Sequence, residues 1–129
     1  MNMSLFQRGK FQLHSGDVSD FKIDCDALTD EDIDTIAYLL SKVVGEFGSV
    51  IGIPTGGMRL ARAMVKYSST NGFHRTLPPL IVDDVYTTGR SMEEAREHAL
   101  ADEVKGAVIF ARTSCPDWIT PLFQMRGQR

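Results

Sequence analysis

Two adjacent carboxylates and a hydroxyl-rich glycine turn follow an apolar run in the second half of the chain. Residues 80–82 are apolar, Asp83 and Asp84 come next, and residues 87–91 read T-T-G-R-S. Carboxylates accept hydrogen bonds from sugar hydroxyls or hold a divalent metal, whereas a glycine turn at a helix start binds a phosphate. A sugar phosphate would satisfy both halves of this segment. The plainer alternative is a tight turn that precedes a capped helix.

The local pattern around this segment predicts a strand, a turn and a helix. The apolar run suits a strand that is buried on both faces, although a run this short is also compatible with a buried helix. After the turn, Ser91 and Glu94 have the spacing of a capping box, in which the hydroxyl of Ser91 caps a backbone N–H group and Glu94 reaches back. The positive end of such a helix favours an anion by ~0.3–1 kcal/mol for each charge interaction.

A second glycine turn occurs earlier in the chain. Residues 52–57 read G-I-P-T-G-G, follow an apolar pair and precede a helical pattern. Two successive glycines expose backbone N–H groups to an anion, and Arg59 places a cation nearby. The same composition also serves as an ordinary strand-to-helix connection without a ligand.

The remaining pattern predicts an α/β fold in which helices flank a parallel sheet. We expect helices at about 30–46, 58–66 and 91–103 and a further buried strand at 106–111. Ligands of such sheets bind at the carboxyl ends of the strands, where both glycine turns fall. The expected apolar positions are Ile33, Ile36, Leu40, Val43, Val44 and Phe47 in the first helix and Met92, Ala95, Ala99 and Leu100 in the third.

Length, composition and charge predict one domain without a nucleic-acid or membrane partner. The chain has 129 residues, is 43% apolar and carries a net charge of −3 with no basic block. Its first residues lack the apolar core of a signal peptide, and no run approaches the ~20 apolar residues of a membrane span. We therefore expect a cytoplasmic protein in which Cys25 and Cys115 are free thiols.

The segment at residues 80–91 resembles the signature of the type I phosphoribosyltransferases: an apolar strand, two acids, an apolar pair and T-[TA]-G-x-[ST]. The resemblance implies that phosphoribosyl pyrophosphate is bound, with Mg²⁺ as cofactor and no protein ligand assigned to the metal. It also implies that the acids hold the ribose and act in catalysis. Carried over, the site comprises Asp83 and Asp84 at the ribose, Thr87, Thr88, Gly89, Arg90 and Ser91 at the 5-phosphate, and Thr55, Gly56, Gly57 and Arg59 at the pyrophosphate.

Within that family the N-terminal segment is most similar to the start of orotate phosphoribosyltransferases. The pattern F-x-L-x-S-G-x-x-S, followed by an aromatic residue and an acid, matches from Phe11 to Asp24, and alternation around residues 15–16 predicts a hairpin. The resemblance makes residues 1–28 part of a hood over the base, residues 29–111 the core, and residues 112–129 a tail. That tail either completes the hood or covers the sheet edge. His14 and Lys22 would face an anionic base or would be solvated edge residues.

The chain departs from the orotate enzymes where they have a strand and a long basic loop that closes over the site. Here only residues 67–79 separate the second helix from the acidic strand, and their cations are His74 and Arg75. These two side chains would stabilise the leaving pyrophosphate or would belong to a solvated turn. Purine-type 6-oxopurine enzymes place an acid two residues before the Thr-Gly of the loop, whereas this chain reads Tyr86-Thr87-Thr88-Gly89, which argues against hypoxanthine or guanine and favours orotate or a similar pyrimidine.

The resemblance implies an Mg²⁺-dependent transfer of ribose 5-phosphate from phosphoribosyl pyrophosphate to a base, with release of pyrophosphate. The shortened loop also supports an alternative, a non-catalytic protein that binds phosphoribosyl pyrophosphate or a nucleotide as a signal. A structural protein with a vestigial site is the third reading, and it predicts no ligand. Many relatives are dimers that share active-site loops, so a homodimer is a candidate assembly.

Overall fold

The computed structural model describes residues 4–12, 18–69 and 77–126, with only the backbone for Val18 and Asp20. The elements are β1 (Phe6–Gln12), β2 (Val18–Ile23), α1 (Asp30–Val43), β3 (Val50–Gly52), α2 (Met58–Met64), β4 (Leu80–Tyr86), α3 (Arg90–His98), β5 (Lys105–Ala111) and β6 (Ile119–Gln124), with 3-10 turns at Cys25–Ala27 and Val65–Tyr67. Helices and strands alternate from α1 to β5, as the sequence pattern predicts, and two consecutive strands stand at each end.

The four C-terminal strands form one parallel sheet in the order β3-β4-β5-β6. β4 lies between β3 and β5, and its first three residues, Leu80, Ile81 and Val82, are fully buried. A strand covered on both faces reads as a continuous apolar run, and the run at 80–82 does. The predicted α/β fold with a parallel sheet is therefore confirmed.

Helices cover both faces of this sheet. α1 and α2 pack on one face, where Leu40, Leu60 and Met64 are buried against Leu80 and Val82. α3 packs on the other face, where Met92 is buried among Ile81, Val108 and neighbouring side chains. The carboxyl ends of the strands, where the candidate ligand residues lie, emerge between these two helical layers.

The C-terminal segment contributes a strand to the core sheet. Residues 112–129 were expected to form a tail or part of a hood, yet β6 pairs in parallel with β5 from Gly106↔Ile119 to Ala111↔Gln124. The sheet thus extends beyond residue 111, the expected end of the core. Pro121 lies within β6, and an edge strand tolerates proline because one side of its backbone has no ladder to complete.

α1 begins at a reciprocal cap and ends earlier than expected. The Asp32 N–H donates to Thr29 Oγ1 at 3.0 Å, and the Thr29 N–H donates to Asp32 Oδ2 at 2.8 Å. The helix ends at Val43 instead of residue 46, and Gly45 then adopts a left-handed φ of 75°. The prediction that Val43 belongs to the buried face is wrong, because its side chain is 59% exposed.

α3 is also shorter than expected, ending at His98 and not near residue 103. Leu100 has a φ of 49° and is 95% exposed, so its expected place in the apolar stripe is wrong. The chain turns here to enter β5 at Lys105, whose N–H donates to the Pro79 carbonyl at 2.9 Å. The left-handed backbone of Leu100 ends the helical path before the last turn that was predicted.

The N-terminal strands form a separate two-stranded antiparallel sheet. β1 pairs with β2 from Phe6↔Ile23 to Gln12↔Val18, which confirms the predicted hairpin. Residues 13–17, between the two strands, lie outside the described residues, and the prediction for His14 falls there. Phe6 contacts Phe110 of β5 edge-to-face, with 5.8 Å between the ring centroids, so the hairpin lies against the sheet.

Two further expectations concern the cysteines and the membrane. Cys25 and Cys115 are both free thiols, as predicted. Among the described residues, no helix combines the length and the apolar character needed to cross a membrane.

The reciprocal cap at Thr29 gives the first testable prediction. Thr29→Ala removes the hydroxyl that accepts from Asp32, so we expect the free energy of unfolding to fall by ~1 kcal/mol in urea denaturation. Thr35→Ala is the matched control, because its hydroxyl donates to the Glu31 carbonyl within the same helix and caps no N–H group. Equal stability of Thr29→Ala and the wild type would contradict the role of the cap.

Candidate functional site

The acidic pair, Asp83 and Asp84, lies in the C-terminal half of β4, where the strand leaves the buried sheet. Both residues are half-buried. The Asp84 N–H donates to Asp83 Oδ1 at 2.8 Å, and the Val85 N–H donates to Asp84 Oδ1 at 2.7 Å. Each carboxylate is thus oriented by the backbone of the residue that follows it, which leaves further oxygen lone pairs for a ligand.

Asp83 is the more perturbed member of the pair. Burial, followed by a hydrogen bond and charge repulsion from Asp84, raises the pKa of Asp83 from 3.8 to about 8, while the backbone N–H of Asp84 acts in the opposite direction. The two side chains therefore favour sharing a proton over ionising together. A ligand that donates hydroxyl hydrogen bonds to both would shift the pair toward two carboxylates.

The turn at residues 87–91 directly follows the acidic strand. Gly89 is the N-terminal cap residue of α3 and has a left-handed φ of 81°, which a residue with a side chain rarely adopts. The Thr113 hydroxyl donates to the Thr87 carbonyl at 2.8 Å and holds the turn from the β5–β6 connection. A cavity of about 40 Å³ lies at this turn and is lined by Asp83, Val85, Tyr86, Thr87, Thr88, Gly89, Arg90, Ser91 and Met92.

The predicted capping box at Ser91 is wrong. α3 starts at Arg90, so Ser91 is the second helical residue, and the cap at Gly89 makes no side-chain hydrogen bond. The Arg90 N–H has only a long contact of 3.4 Å to Thr88 Oγ1. Because no side chain caps this end firmly, its N–H groups remain available to an external anion.

The turn at residues 54–57 lies beside the acidic pair. The Gly57 N–H donates to the Ile53 carbonyl at 2.8 Å, and the peptide bond between Pro54 and Thr55 is cis. A Cβ added to Gly56 would lie 2.7 Å from Cγ of Asp84, and one added to Gly57 would lie 2.5 Å from the Val82 carbonyl oxygen. Glycine is therefore required at both positions, because neighbouring atoms leave no room for a Cβ. The turn packs directly against the strand that carries the acids.

Arg59, the cation predicted for pyrophosphate, faces the start of α1. Its guanidinium donates to the Leu28 carbonyl at 2.9 Å and pairs with the exposed carboxylate of Asp30 at 3.0 Å. An exposed pair of this kind contributes ~0–1 kcal/mol, so an anion of higher charge would compete with it. The role of Arg59 stays a prediction that requires the guanidinium to leave Asp30.

The predicted contacts with the base and the leaving group fall mostly outside the described residues. His14, His74 and Arg75 lie there. Lys22 is described, and it lies exposed on β2 opposite Gln7. Its role at an anionic base stays a prediction.

Arg112 is a residue near the site that sequence reasoning missed. It directly follows β5, and its guanidinium donates to Ser19 Oγ and to the Phe21 carbonyl, both at 3.0 Å, while lying 4.1 Å from the centroid of the Phe21 ring. These contacts tie the N-terminal hairpin to the carboxyl edge of the sheet. Its position immediately after a predicted strand was the signal that could have identified it.

Cys25 is a second unforeseen neighbour of the acids. Burial, and then the charges of Asp84, Asp24, Asp26 and Asp83, raise the pKa of the Cys25 thiol to about 12. The thiol is therefore protonated at neutral pH and is a poor nucleophile. The flanking acids Asp24 and Asp26 were the available signal for its environment.

Comparison with known proteins adds one finding on the fold. No protein-family model matches this sequence, and no curated protein does either. The structure is similar to orotate phosphoribosyltransferase from Aeropyrum pernix, with a TM-score of 0.72 and 23% identity over 94% of this chain and 88% of that one. This chain has the type I phosphoribosyltransferase fold.

Two further structures with this fold support the assignment. The orotate phosphoribosyltransferase of Mycobacterium tuberculosis H37Rv has a TM-score of 0.68 and 17% identity over 93% of this chain and 89% of that one. The enzyme from Francisella tularensis has a TM-score of 0.55 and 16% identity over 84% of this chain and 65% of that one. The resemblance seen in residues 80–91 is thus confirmed at the level of the fold.

The raised pKa of Asp83 predicts how stability depends on pH. Between pH 4 and pH 8 the folded chain retains a proton that an unfolded aspartate has lost, so the free energy of unfolding contributed by this residue falls as pH rises. Asp83→Asn removes this dependence, and urea denaturation should show the stability gain of the variant growing from pH 4 to pH 8.

Asp102→Asn, an exposed acid before β5, is the control for this measurement. It should retain the pH dependence of the wild type. A stability difference between Asp83→Asn and the wild type that stays constant with pH would contradict the protonated state of Asp83.

Proposed function

We propose that this protein transfers ribose 5-phosphate from phosphoribosyl pyrophosphate to a nitrogenous base and releases pyrophosphate, with orotate or a similar acidic pyrimidine as the favoured base. One observation carries the proposal. The close packing of Gly56 on Asp84 unites the 54–57 turn, the acidic pair and the 87–91 turn at one edge of a sheet with the type I phosphoribosyltransferase fold.

The order of these parts suits an extended substrate with phosphate at both ends. The 87–91 turn would hold the 5-phosphate, the acidic pair would accept from the ribose hydroxyls, and the 54–57 turn would bind the pyrophosphate. Two carboxylates beside a phosphate alone would repel it. A ribose between the two anions removes that conflict, because its hydroxyls are donors that face the acids.

The chemistry asks the protein mainly to position and to stabilise charge. The bond between C1 of the ribose and the pyrophosphate oxygen breaks with its electron pair leaving on the oxygen, and a ring nitrogen of the base supplies the pair for the new bond to C1. A proton on that nitrogen is lost to solvent. As positive charge develops at the ribose, the ionised carboxylates of Asp83 and Asp84 stabilise it through their hydrogen bonds to the hydroxyls.

Mg²⁺ is the proposed cofactor. It would neutralise charge on the pyrophosphate oxygens as the bond breaks. Carboxylate oxygens and water are the ligands that Mg²⁺ prefers, so Asp83 and Asp84 would hold the ion through its waters, with no direct protein ligand assigned.

Described cations near the hairpin support an anionic base. Arg112 lies at the carboxyl end of β5, next to the strand that carries the acids, and Lys22 lies exposed on the hairpin held by Arg112. The stretch Tyr86-Thr87-Thr88-Gly89 lacks the acid that purine-type enzymes of this family carry before the Thr-Gly of the loop. These features favour a pyrimidine that carries a negative charge.

The alternative is a regulatory protein that binds phosphoribosyl pyrophosphate or a nucleotide without turning it over. The shortness of the segment between Tyr67 and Leu80 favours it, because a lysine-free stretch of this length replaces the basic loop expected over the pyrophosphate. Binding in calorimetry without transfer would select this alternative.

The direct test of transfer uses phosphoribosyl pyrophosphate labelled in the ribose, Mg²⁺ and a panel that contains orotate, uracil, hypoxanthine and guanine. We expect labelled nucleotide and pyrophosphate in equal amounts with orotate and little product with either purine. Absence of nucleotide with every base would refute the enzyme, and preference for a purine would refute the assigned base.

The ribose assignment predicts the effect of removing both acids. Asp83→Asn combined with Asp84→Asn replaces two charged acceptors, so calorimetry should show affinity for phosphoribosyl pyrophosphate reduced by about a hundredfold. The control is Asp102→Asn combined with Asp117→Asn, which makes the same change in net charge at exposed positions outside β4. Equal affinity of the two double variants would remove the acids from the ribose site.

A further inference from the structure

Tyr86 is the last residue of β4 and lies beneath the 87–91 turn. Only 9% of the residue is exposed, and its ring belongs to the apolar cluster on the α3 face together with Met92, Val108 and Ile119. Its backbone is fixed as well, because the Arg112 N–H donates to the Tyr86 carbonyl at 2.9 Å. The ring is therefore a rigid part of the core and not a mobile surface group.

The ring of Tyr86 fills the space directly below Gly89. A Cβ added to Gly89 would lie 2.5 Å from the Tyr86 hydroxyl oxygen and 2.8 Å from both Cε2 and Cζ of the ring. No side chain fits between the two residues. The left-handed conformation of Gly89 and the position of the phenol ring are therefore fitted to each other.

Other supports of the turn are few. Gly89 caps α3 without a side-chain hydrogen bond, and the contact from the Arg90 N–H to Thr88 is long, at 3.4 Å. Thr113 holds the turn at Thr87, on its strand side. Among the described contacts, the half of the turn that leads into the helix is supported by the Glu93 N–H, which donates to the Gly89 carbonyl at 2.9 Å, and by the ring of Tyr86.

We propose that Tyr86 is a positioning residue of the phosphate site: its ring supports Gly89 from below and keeps the N–H groups at the start of α3 in the arrangement that binds a 5-phosphate. This inference rests on the proposed function, because it assigns the 87–91 turn to the phosphate. The 54–57 turn has supports of its own, the hydrogen bond from the Gly57 N–H to the Ile53 carbonyl and the close approach of Gly56 to Asp84, so the inference predicts an effect at only one end of the substrate.

The test compares Tyr86→Phe, which keeps the ring, with Tyr86→Ile, which keeps an apolar side chain but leaves the space below Gly89 open. Calorimetry is run with two probes, ribose 5-phosphate for the 87–91 turn and magnesium pyrophosphate for the 54–57 turn. Hydrogen exchange of the backbone amides of residues 88–91 is measured on the ligand-free proteins.

We expect Tyr86→Ile to bind ribose 5-phosphate at least about tenfold more weakly, with faster amide exchange at residues 88–91 and unchanged affinity for pyrophosphate. Tyr86→Phe, which keeps the ring, should retain affinity for ribose 5-phosphate and amide protection at residues 88–91 to within about threefold of the wild type. Affinity of Tyr86→Ile equal to that of the wild type would overturn the role of the ring. Equal weakening for both probes, with loss of protection throughout the chain, would also overturn it, since the ring would then only stabilise the fold.

The wild-type measurement separates this inference from the function on which it rests. If the wild type binds no ribose 5-phosphate, the proposed function fails, and the positioning role fails with it. If the wild type binds and Tyr86→Ile binds equally well, the proposed function stands and only the role of Tyr86 is refuted.

Discussion

The structure depends on the placement of two carboxylates where a buried strand reaches the surface. Asp83 and Asp84 are adjacent in sequence, half-buried, and close enough that burial and mutual repulsion hold the pKa of Asp83 well above its usual range. Half-burying two adjacent carboxylates lowers the stability of the folded chain, and a structural role alone does not offset that loss. Its neighbours are arranged to accept the pair: two backbone N–H groups orient the oxygens, and Gly56 leaves room for Asp84.

The constraint at Gly56 explains how two distant segments form one site. The 54–57 turn and the acidic strand are separated by the whole of α2 and the connection that follows it. Parallel pairing of β3 with β4 brings their carboxyl ends to one edge, and the glycines allow the turn to touch the acids. The site is therefore a consequence of sheet topology together with the absence of a side chain at two positions.

Much of this arrangement was predictable from the sequence. The run at 80–82 predicted a buried strand, and the helix expected from about residue 30 begins there as α1, because both signals are local. The ends of α1 and α3 were not predictable by the same means. The chain leaves these helices where it must turn toward the next strand, and in doing so exposes Val43 and Leu100, whose apolar character suggested burial.

The features missed near the site depend on contacts between segments distant in sequence. Arg112 holds the N-terminal hairpin through Ser19, which lies 93 positions earlier in the sequence, and periodicity carries no information on such a contact. The resemblance made residues 112–129 a tail that completes the hood or covers the sheet edge, and pairing with β5 makes β6 the edge strand of the sheet. The N-terminal cap of α3 is Gly89 and not the expected Ser91, because the turn ends at Gly89 in a left-handed conformation.

The measurement that tests the central claim most directly is a crystal structure of the protein with phosphoribosyl pyrophosphate and Mg²⁺. The account predicts ribose hydroxyls within hydrogen-bond distance of Asp83 and Asp84, the 5-phosphate on the N–H groups of residues 87–91, and the pyrophosphate at residues 55–57. A ligand bound in the opposite direction, or away from the acidic pair, would contradict it.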